Sequence, residues 1–431
     1  MHIRNFRCFE ETVFELNYPG GTLPDGIDAD SYLPNVNLFI GDNGSGKSSV
    51  FKAIPLGVLA PVLASSGLQA DYFVHRNADV SKESPVDGAR IVAHLAPAVL
   101  DLPDFAKNYV GTLIGICSVS LKGDYEEIQS LISSSPSTSS AASNPEWPIC
   151  PNETSLDALL WDEIYLNRSP GFFLAGYGAN RRVERPEGYS ENSRTPRYLR
   201  VASLFEDHVG LVPFSYAHQR LAAVGSDSEA REMLNKLLPE ELSLTDKQDG
   251  QARPLFGRGG LFLPFQTLSD GYRTFIASVW DLLYQLSMLQ PSEPLSGIKG
   301  VVIVDEIDLL LHPEWQRTVI RQVASASPCL QFLFSSHSPL VAGSLYPQNI
   351  FVLDDNKVQR YHEDIHGKTA SQVLTSSYFG LNSTRAPGTG TLVDAARREM
   401  SNGGGAKLAD VPVTSETIER AKRIIAEIQA E

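Results

Sequence analysis

The chain has 431 residues, of which 42% are apolar and 20% charged, as is usual for a soluble globular protein. Its formal net charge of −15 argues against indiscriminate binding to nucleic acid, although a local basic groove could still exist. We find no apolar run of the roughly 18 residues that a membrane span needs, and no pattern of a secretory signal at the N-terminus. The four cysteines lie far apart, which argues against a disulfide framework and favours a reducing, cytoplasmic setting.

The spacing of apolar residues predicts an alternation of short strands and helices. The predicted strands are a pair within 1–17, then 36–40, 89–95, 111–121, 301–304 and 330–335, and the predicted helices are 48–65, most of 199–244, and 272–289. A serine-rich low-complexity run within 130–152 predicts a mobile surface insertion. Glycines at 403–405 predict a linker before a final helix from about Ser415, which could pack on the protein's own core or on a partner.

Residues 41–48 match the P-loop pattern in full and lie between a predicted strand and a predicted helix. Glycines in such a loop let backbone N–H groups close around phosphate oxygens, and the helix adds the positive end of its dipole. Lys47 is expected to reach the β- and γ-phosphates of ATP, and the Ser48 hydroxyl to ligate Mg²⁺. The predicted nucleotide-binding residues of this loop are Gly41, Asn43, Gly44, Ser45, Gly46, Lys47, Ser48 and Ser49.

An apolar strand at 300–304 ends in Asp305 and Glu306, at the sheet edge where ligands of parallel sheets bind. Asp305 is predicted to hold Mg²⁺, and Glu306 to orient and deprotonate the attacking water, a role typically worth roughly 10²- to 10⁴-fold in rate. His337 follows the next predicted strand, 31 residues after Glu306. We predict that His337 senses the γ-phosphate; the alternative is a histidine buried in the core.

A second segment, Leu268-Ser269-Asp270-Gly271, begins a predicted helix, and Ser269 lies 222 positions after Lys47. The P-loop, this segment, the acidic strand end and His337 occur in the order found in ABC-type ATPases, which the chain resembles. Asp270 replaces the commoner glycine of the signature motif. In this respect the chain is similar to the branch that contains SMC proteins, RecF and the overcoming-lysogenisation-defect ATPases.

The resemblance implies that Ser269 and Gly271 of one subunit cap the γ-phosphate held by Lys47 of another. ATP would then join two heads with two-fold symmetry, and hydrolysis would release them. It also implies a D-loop at residues 311–313, where His312 replaces the usual Asp. No glutamine marks the family's Q-loop. Residues 176–182 occupy that region, where Asn180 or Arg181 could contact the metal shell or phosphate, and a plain structural turn is the alternative.

The fold that the resemblance implies is α/β: a P-loop ABC-type ATPase head with a mixed sheet, a helical lobe that carries the signature segment, and a loop-rich insertion. The expected nucleotide-binding lobe comprises residues 1–121 and 296–400. The insertion and helical lobe are expected at 122–295, and the linker and C-terminal helix at 401–431.

Residues 122–265 lack a long heptad pattern, which distinguishes the chain from a full SMC protein. Nothing in the chain indicates membrane coupling, which distinguishes it from the motor domain of a transporter. The chain resembles compact ATPases of bacterial operons, such as Septu-type and related anti-phage systems. This resemblance predicts a dimeric or larger sensor subunit that controls an effector such as a nuclease. The alternative is a RecF-like repair or replication ATPase that binds DNA directly through Arg181, Arg182 and Arg185.

Residues 362–366 spell His-Glu-x-x-His, the pattern of zinc proteases. That chemistry needs a helix that presents both imidazoles on one face and a third ligand downstream. Here the pattern follows a predicted strand and runs into Gly367, and the next acidic residue is Asp394. We therefore interpret the match as coincidental.

Overall fold

The computed structural model describes residues 1–21, 32–68, 72–75, 88–97, 111–122, 125–136, 164–166, 169, 171–183, 196–251, 253–289, 293–381 and 384. The chain divides into two compact units, Met1–Thr369 and Ala370–Glu431. All of the motifs named above lie in the first unit.

The described secondary structure alternates between strands and helices along the chain. The strands are β1 His2–Phe6, β2 Phe9–Val13, β3 Val36–Gly41, β4 Ala89–Leu95, β5 Gly111–Lys122, β6 Tyr125–Pro136, β7 Leu174–Tyr177, β8 Ser243–Gln248, β9 Pro254–Arg258, β10 Leu261–Pro264, β11 Gly300–Val304, β12 Leu330–Ser335, β13 Ile350–Asp354 and β14 Lys357–Gln359. The helices are α1 Lys47–Ser65, α2 Pro196–Ala202, α3 Phe214–Ala223, α4 Asp227–Leu237, α5 Asp270–Leu289, α6 Pro313–Gln316, α7 Val319–Ala326, α8 Pro339–Ala342 and, in the second unit, α9 Ala370–Leu374.

A six-stranded mixed sheet of order β14-β13-β3-β12-β11-β7 forms the centre of the first unit. Its strands pair in parallel except β14, which is antiparallel to β13. In the register of the sheet, Ser335 lies beside Phe39, and Val304 lies beside both Phe334 and Tyr177. The carboxyl ends of β3, β12, β11 and β7 therefore meet at one edge, which is where ligands of parallel sheets bind.

Helix α1 packs between this sheet and a five-stranded antiparallel sheet of order β2-β1-β4-β5-β6. Phe51 of α1 meets Phe39 of β3 edge-on, with 5.5 Å between the ring centroids. By length and composition α1 is the one helix in the described part of the chain that could cross a membrane, but 72% of that stretch is buried inside the protein. We interpret α1 as the core helix that positions the P-loop.

The helical lobe consists of α3, α4, α5 and a small sheet of order β10-β9-β8. Aromatic side chains form its core: Phe214 stacks on Phe265 at 4.8 Å and contacts Trp280 of α5 at 5.2 Å. Because Ser269 directly precedes α5, this core determines where the signature segment lies.

Most of the predicted elements are present, but two assignments are wrong. Residues 130–136, predicted as part of a mobile insertion, belong to β6 and pair with β5 in a continuous antiparallel register. Residues 243–244 lie in β8, not in a helix. Pairing with a neighbouring strand here overrides local composition. Both β6 and β7 lie within 122–295 and pair with β5 and β11. Residues 137–152 of the predicted insertion, the linker 401–405 and the helix from Ser415 lie outside the described residues.

Candidate nucleotide site

The P-loop holds its lysine through two backbone carbonyl oxygens. Lys47 is only 7% exposed, and its Nζ donates to the carbonyl oxygens of Gly41 and Asp42 at 2.8 and 2.9 Å. Burial lowers the pKa of Lys47, and the nearby charges of Asp305 and Glu306 oppose that shift. The ammonium group therefore lies inside the loop, held by weak acceptors that a phosphate oxygen can replace.

Gly46 shows why this loop needs glycine. Its φ is +105°, and a Cβ there would lie 2.5 Å from Cys8 Sγ and 2.8 Å from Phe9 Cζ. Any other residue would therefore be strained and would clash. The neighbouring Ser45 Oγ is buried without a hydrogen-bond partner in the described part of the chain. An unpaired hydroxyl inside a cradle of this kind fits a phosphate oxygen as its missing partner.

Two hydroxyl groups hold the first acidic residue. Ser48 Oγ donates to Asp305 Oδ2 at 2.9 Å, and Ser335 Oγ donates to Asp305 Oδ1. Ser335 Oγ also accepts a hydrogen bond from the backbone N–H of Glu306 at 2.8 Å. The Ser48 hydroxyl and the Asp305 carboxylate are the hard oxygen ligands that Mg²⁺ prefers, so the residues present fit a magnesium ion.

Glu306 adopts a backbone conformation that is uncommon for glutamate, with a φ of +49°. Its amide is held by Ser335, and its carbonyl oxygen accepts a hydrogen bond from Arg181 at 2.9 Å. Strain of this kind persists only where the surroundings enforce it, and it is concentrated at functional sites. The chain therefore turns sharply at the point where β11 delivers its second carboxylate.

Arg181, which follows β7, binds the backbone of the acidic pair Asp305 and Glu306. Its guanidinium donates to the carbonyl oxygens of Asp305 at 2.6 Å and Glu306 at 2.9 Å. Burial lowers the pKa of Arg181, while Asp305, Glu306 and Asp308 raise it. Both hydrogen bonds of the Arg181 guanidinium go to backbone carbonyl oxygens, which is what the alternative of a structural turn at 176–182 implies. Asn180 is exposed, and its amide lies 3.5 Å from the Asp207 carbonyl oxygen.

This geometry also bears on the DNA-binding alternative. Arg181 is committed to the acidic pair and is therefore not free to contact a DNA backbone. Arg182 is exposed, and Arg185 lies outside the described residues. One of the three arginines on which the DNA-binding alternative depends therefore binds the backbone of Asp305 and Glu306.

His337 lies in the segment that follows β12, two residues after Ser335. Its side chain is exposed, so the alternative of a histidine buried in the core is wrong. The next residue, Ser338, caps α8: its Oγ accepts hydrogen bonds from the N–H groups of Leu340 at 3.1 Å and Val341 at 3.3 Å. This cap holds the segment at the same sheet edge as Asp305.

The signature segment contacts the turn that follows Glu306. A Cβ on Gly271 would lie 2.2 Å from the Leu310 carbonyl oxygen, so only glycine permits this approach. Leu310 has a φ of +63° and is 57% exposed. Ser269 is also exposed. His312 caps α6, its Nδ1 accepting a hydrogen bond from the Glu314 N–H at 3.4 Å.

The zinc-protease pattern does not form the structure that its chemistry requires. Residues 362–366 are irregular and not helical, and the His366 ring stacks on Tyr346 at 4.1 Å. Across the described residues no group of three or more His, Cys, Asp and Glu side chains could hold a metal ion.

Comparisons with known proteins give two family models and several curated relatives. Residues 180–343 match the family model described as "AAA domain, putative AbiEii toxin, Type IV TA system", and residues 1–82 match a second model described as "AAA domain". The chain is 27% identical over 245 residues to the Septu protein PtuA of Bacillus mycoides (strain KBAB4), covering 55% of this chain and 33% of that protein. It is 37% identical over 131 residues to the Retron Vc95 probable ATPase of Vibrio cholerae serotype O1 biovar El Tor, covering 30% and 24% respectively.

The two matched segments, which contain the P-loop and the acidic strand end, are thus similar to AAA domains. Among solved structures, the chain is similar to an SMC head bound to the C-winged helix domain of ScpA, with a TM-score of 0.47 and 13% identity over 84% of this chain and 96% of the SMC chain. The chain spans a third or less of the length of the two curated relatives.

Three residues that support the candidate site carry weak sequence signals. Ser335 ends a buried strand in a run of serines, Arg181 lies in a stretch rich in arginine, and Gln316 lies three residues after Pro313. Gln316 Nε2 donates to the Leu311 carbonyl oxygen at 2.9 Å, and its Oε1 accepts from Ser338 Oγ at 2.8 Å. These contacts depend on the fold, so a linear pattern does not reveal them.

Proposed function

We propose that this ATPase hydrolyses ATP at a site built from two copies of the chain and acts as the switch subunit of an anti-phage defence system. The observation that carries the proposal is the 2.9 Å hydrogen bond between Ser48 and Asp305. It joins the P-loop to the acidic strand end, so that phosphate-binding and water-activating groups share one sheet edge.

The proposed chemistry is in-line attack of water on the γ-phosphate, with catalysis by positioning and charge neutralisation. Lys47 would bind the β- and γ-phosphates, and Ser48 and Asp305 would hold Mg²⁺. When bound, Mg²⁺ neutralises the charge that develops on the phosphate oxygens. Glu306 would orient the water and accept its proton, and His337 would donate a hydrogen bond to the γ-phosphate.

The second half of the site would come from another copy of the chain. Ser269 and Gly271 lie on the helical lobe, and the exposed side chain of Ser269 is available to a second subunit. In the proposed dimer these residues cap the γ-phosphate held by Lys47 of the facing copy. Hydrolysis would remove that shared ligand and release the pair.

The defence role rests on the relatives whose names contain Septu and Retron. We propose that the ATP-driven engagement of two heads controls an effector such as a nuclease in the cytoplasm. The described cysteines Cys8, Cys117 and Cys329 form no disulfide with one another.

The two-copy site is tested by Glu306→Gln, which keeps the size of the side chain but removes the base. We expect this variant to bind ATP and to accumulate as a dimer, because engagement no longer ends in hydrolysis. Sedimentation velocity with and without ATP measures the dimer, and phosphate release measures turnover. Normal turnover in Glu306→Gln would exclude Glu306 as the base.

Ser269→Arg provides the matched control. It should abolish hydrolysis and ATP-dependent dimers while sparing ATP binding to the monomer, because Ser269 would serve only the facing copy. Unchanged turnover in this variant would show that the site is complete within one chain.

A further inference from the structure

Asp281 is a buried acid that none of the proposed nucleotide chemistry uses. It lies on α5, twelve residues after Ser269, and is 7% exposed. Its carboxylate accepts hydrogen bonds from the Tyr177 hydroxyl at 2.8 Å and from the Val212 N–H at 3.0 Å. A buried carboxylate is costly unless it is paired, so these partners determine where this part of α5 can lie.

Tyr177 connects Asp281 to the acidic pair of the nucleotide site. It is the last residue of β7, and its carbonyl oxygen accepts a hydrogen bond from the Asp305 N–H at 2.8 Å. The chain then continues to Arg181, which holds the carbonyl oxygens of Asp305 and Glu306. One residue therefore touches the end of β11 with its backbone and the signature helix with its side chain.

A small cavity adjoins this contact. It has a volume of about 50 Å³ and lies where α5 faces the sheet. It is lined by Thr274, Ser278 and Leu282 of the helix, by Val302, Phe332 and Phe334 of the sheet, and also by Tyr177 and Arg181. The hydrogen bond between Tyr177 and Asp281 is therefore a polar contact beside a largely apolar interface.

We propose that Tyr177 and Asp281 are positioning residues that couple the signature helix to the acidic pair of the same chain. A displacement of α5 by an ångström would break this hydrogen bond or move the end of β7, and with it the backbone of Asp305 and Glu306. The inference deepens the proposed function and rests on it, because Ser269 on the same helix would contact the nucleotide of a facing copy. A change in the nucleotide bound at one site would thereby shift the acidic residues of the other site.

The electrostatic surroundings make this contact sensitive to substitution. Burial raises the pKa of Asp281, and the positive charge of Arg200 on α2 opposes that shift. Tyr177 is buried beside the carboxylate, and its pKa is raised by burial and by Asp281. The phenol therefore stays protonated and donates, and Gln285 also hydrogen-bonds to the carboxylate.

The coupling within one chain is tested by amide hydrogen exchange on the full-length Ser269→Arg protein, in which dimer engagement is blocked. We expect ATP to change exchange both at residues 41–50 and along α5. Adding Tyr177→Phe, which removes a single oxygen atom, should abolish the response of α5 and leave that of the P-loop. If α5 does not respond to ATP in the parent, or responds equally in Tyr177→Phe, the proposal is wrong.

Turnover provides a second readout. Tyr177→Phe should lower kcat about tenfold, the loss expected for one hydrogen bond, with ATP affinity unchanged. In an Asp281→Leu background, which already lacks the acceptor, Tyr177→Phe should cause no further loss. Tyr165→Phe is the matched control, since its hydroxyl donates at 2.7 Å to the Val58 carbonyl oxygen, outside this contact. Equal kcat in Tyr177→Phe and Tyr165→Phe would overturn the proposal. A Glu306→Gln variant that does not dimerise would instead refute the two-copy site and leave the exchange result standing.

Discussion

At the scale of single residues, the site consists of buried polar groups whose partners are supplied by other segments. Lys47 is held by two loop carbonyls, Asp305 by Ser48 and Ser335, and Asp281 by Tyr177. Each of these polar groups would destabilise the fold if it were buried without a partner. The position of each group therefore depends on the segments that supply its partners. Asp281 shows the consequence most clearly, because burial raises its pKa from 3.8 to about 6.

That shift predicts a pH dependence of stability that Asp281→Asn should remove. Between the two pKa values the folded chain binds the proton more tightly than the unfolded chain, so Asp281 stabilises at low pH and this contribution is lost as the pH rises through about 6. The free energy of unfolding of Asp281→Asn, relative to the unaltered chain, should therefore rise by up to about 3 kcal/mol between about pH 4 and about pH 7. Urea unfolding at several pH values measures it. A constant difference would contradict the shift.

At the scale of elements, the short helix α6 contacts three separate segments of the chain. Trp315 packs against Phe275 of α5 with 4.4 Å between ring centroids. The neighbouring Gln316 holds the Leu311 carbonyl oxygen and accepts from Ser338, next to His337. Four residues thus contact the signature helix, the turn after β11 and the segment that carries His337.

Gln316→Met tests this connection, because methionine keeps the length of the side chain and removes both polar ends. At least two hydrogen bonds worth roughly 0.5–1.5 kcal/mol each are lost, so turnover should fall at least about fivefold with ATP affinity little changed. Phosphate release and equilibrium ATP binding measure the two effects. Gln322→Met is the control on the next helix, where Gln322 contacts Thr318 at 3.4 Å. If both variants turn over ATP equally, α6 is only a structural support.

At the scale of the whole molecule, the two halves of the proposed site lie on different lobes. Lys47 and Asp305 belong to the edge of the central sheet, and Ser269 begins the helix of the other lobe. A two-fold pair would bring each half against its complement in the facing copy. Such a pair would therefore contain two sites, each with residues from both chains.

Mixing two inactive variants tests this arrangement. In a dimer of Lys47→Ala with Ser269→Arg, one site carries both defects and the other carries neither. Random mixing at equal amounts should therefore restore about a quarter of the unaltered turnover, since half of the dimers are mixed and half of their sites intact. Phosphate release from each variant alone and from the mixture measures this. If the mixture stays inactive, each site is built from a single chain.

The sequence alone determined the motifs whose parts are contiguous. The P-loop, the apolar strand that ends in Asp305 and Glu306, and the helix that begins after Ser269 all depend on local patterns of glycine, apolar and acidic residues. Their order along the chain was enough to predict the fold class. The same local reasoning was wrong for 130–136, where pairing with β5 outweighs a serine-rich composition.

Only the tertiary structure decided which residues support those motifs. Arg181 reaches Asp305 across 124 positions, Tyr177 reaches Asp281 across 104, and Ser335 reaches Asp305 across 30. Such pairs leave no periodic or contiguous signal, because a hydrogen bond between distant segments depends on how the sheet orders its strands. The sequence therefore determined which motif residues form the candidate site. The packing of β7, β11 and α5 decided which side chains hold those residues in place and contact the signature helix.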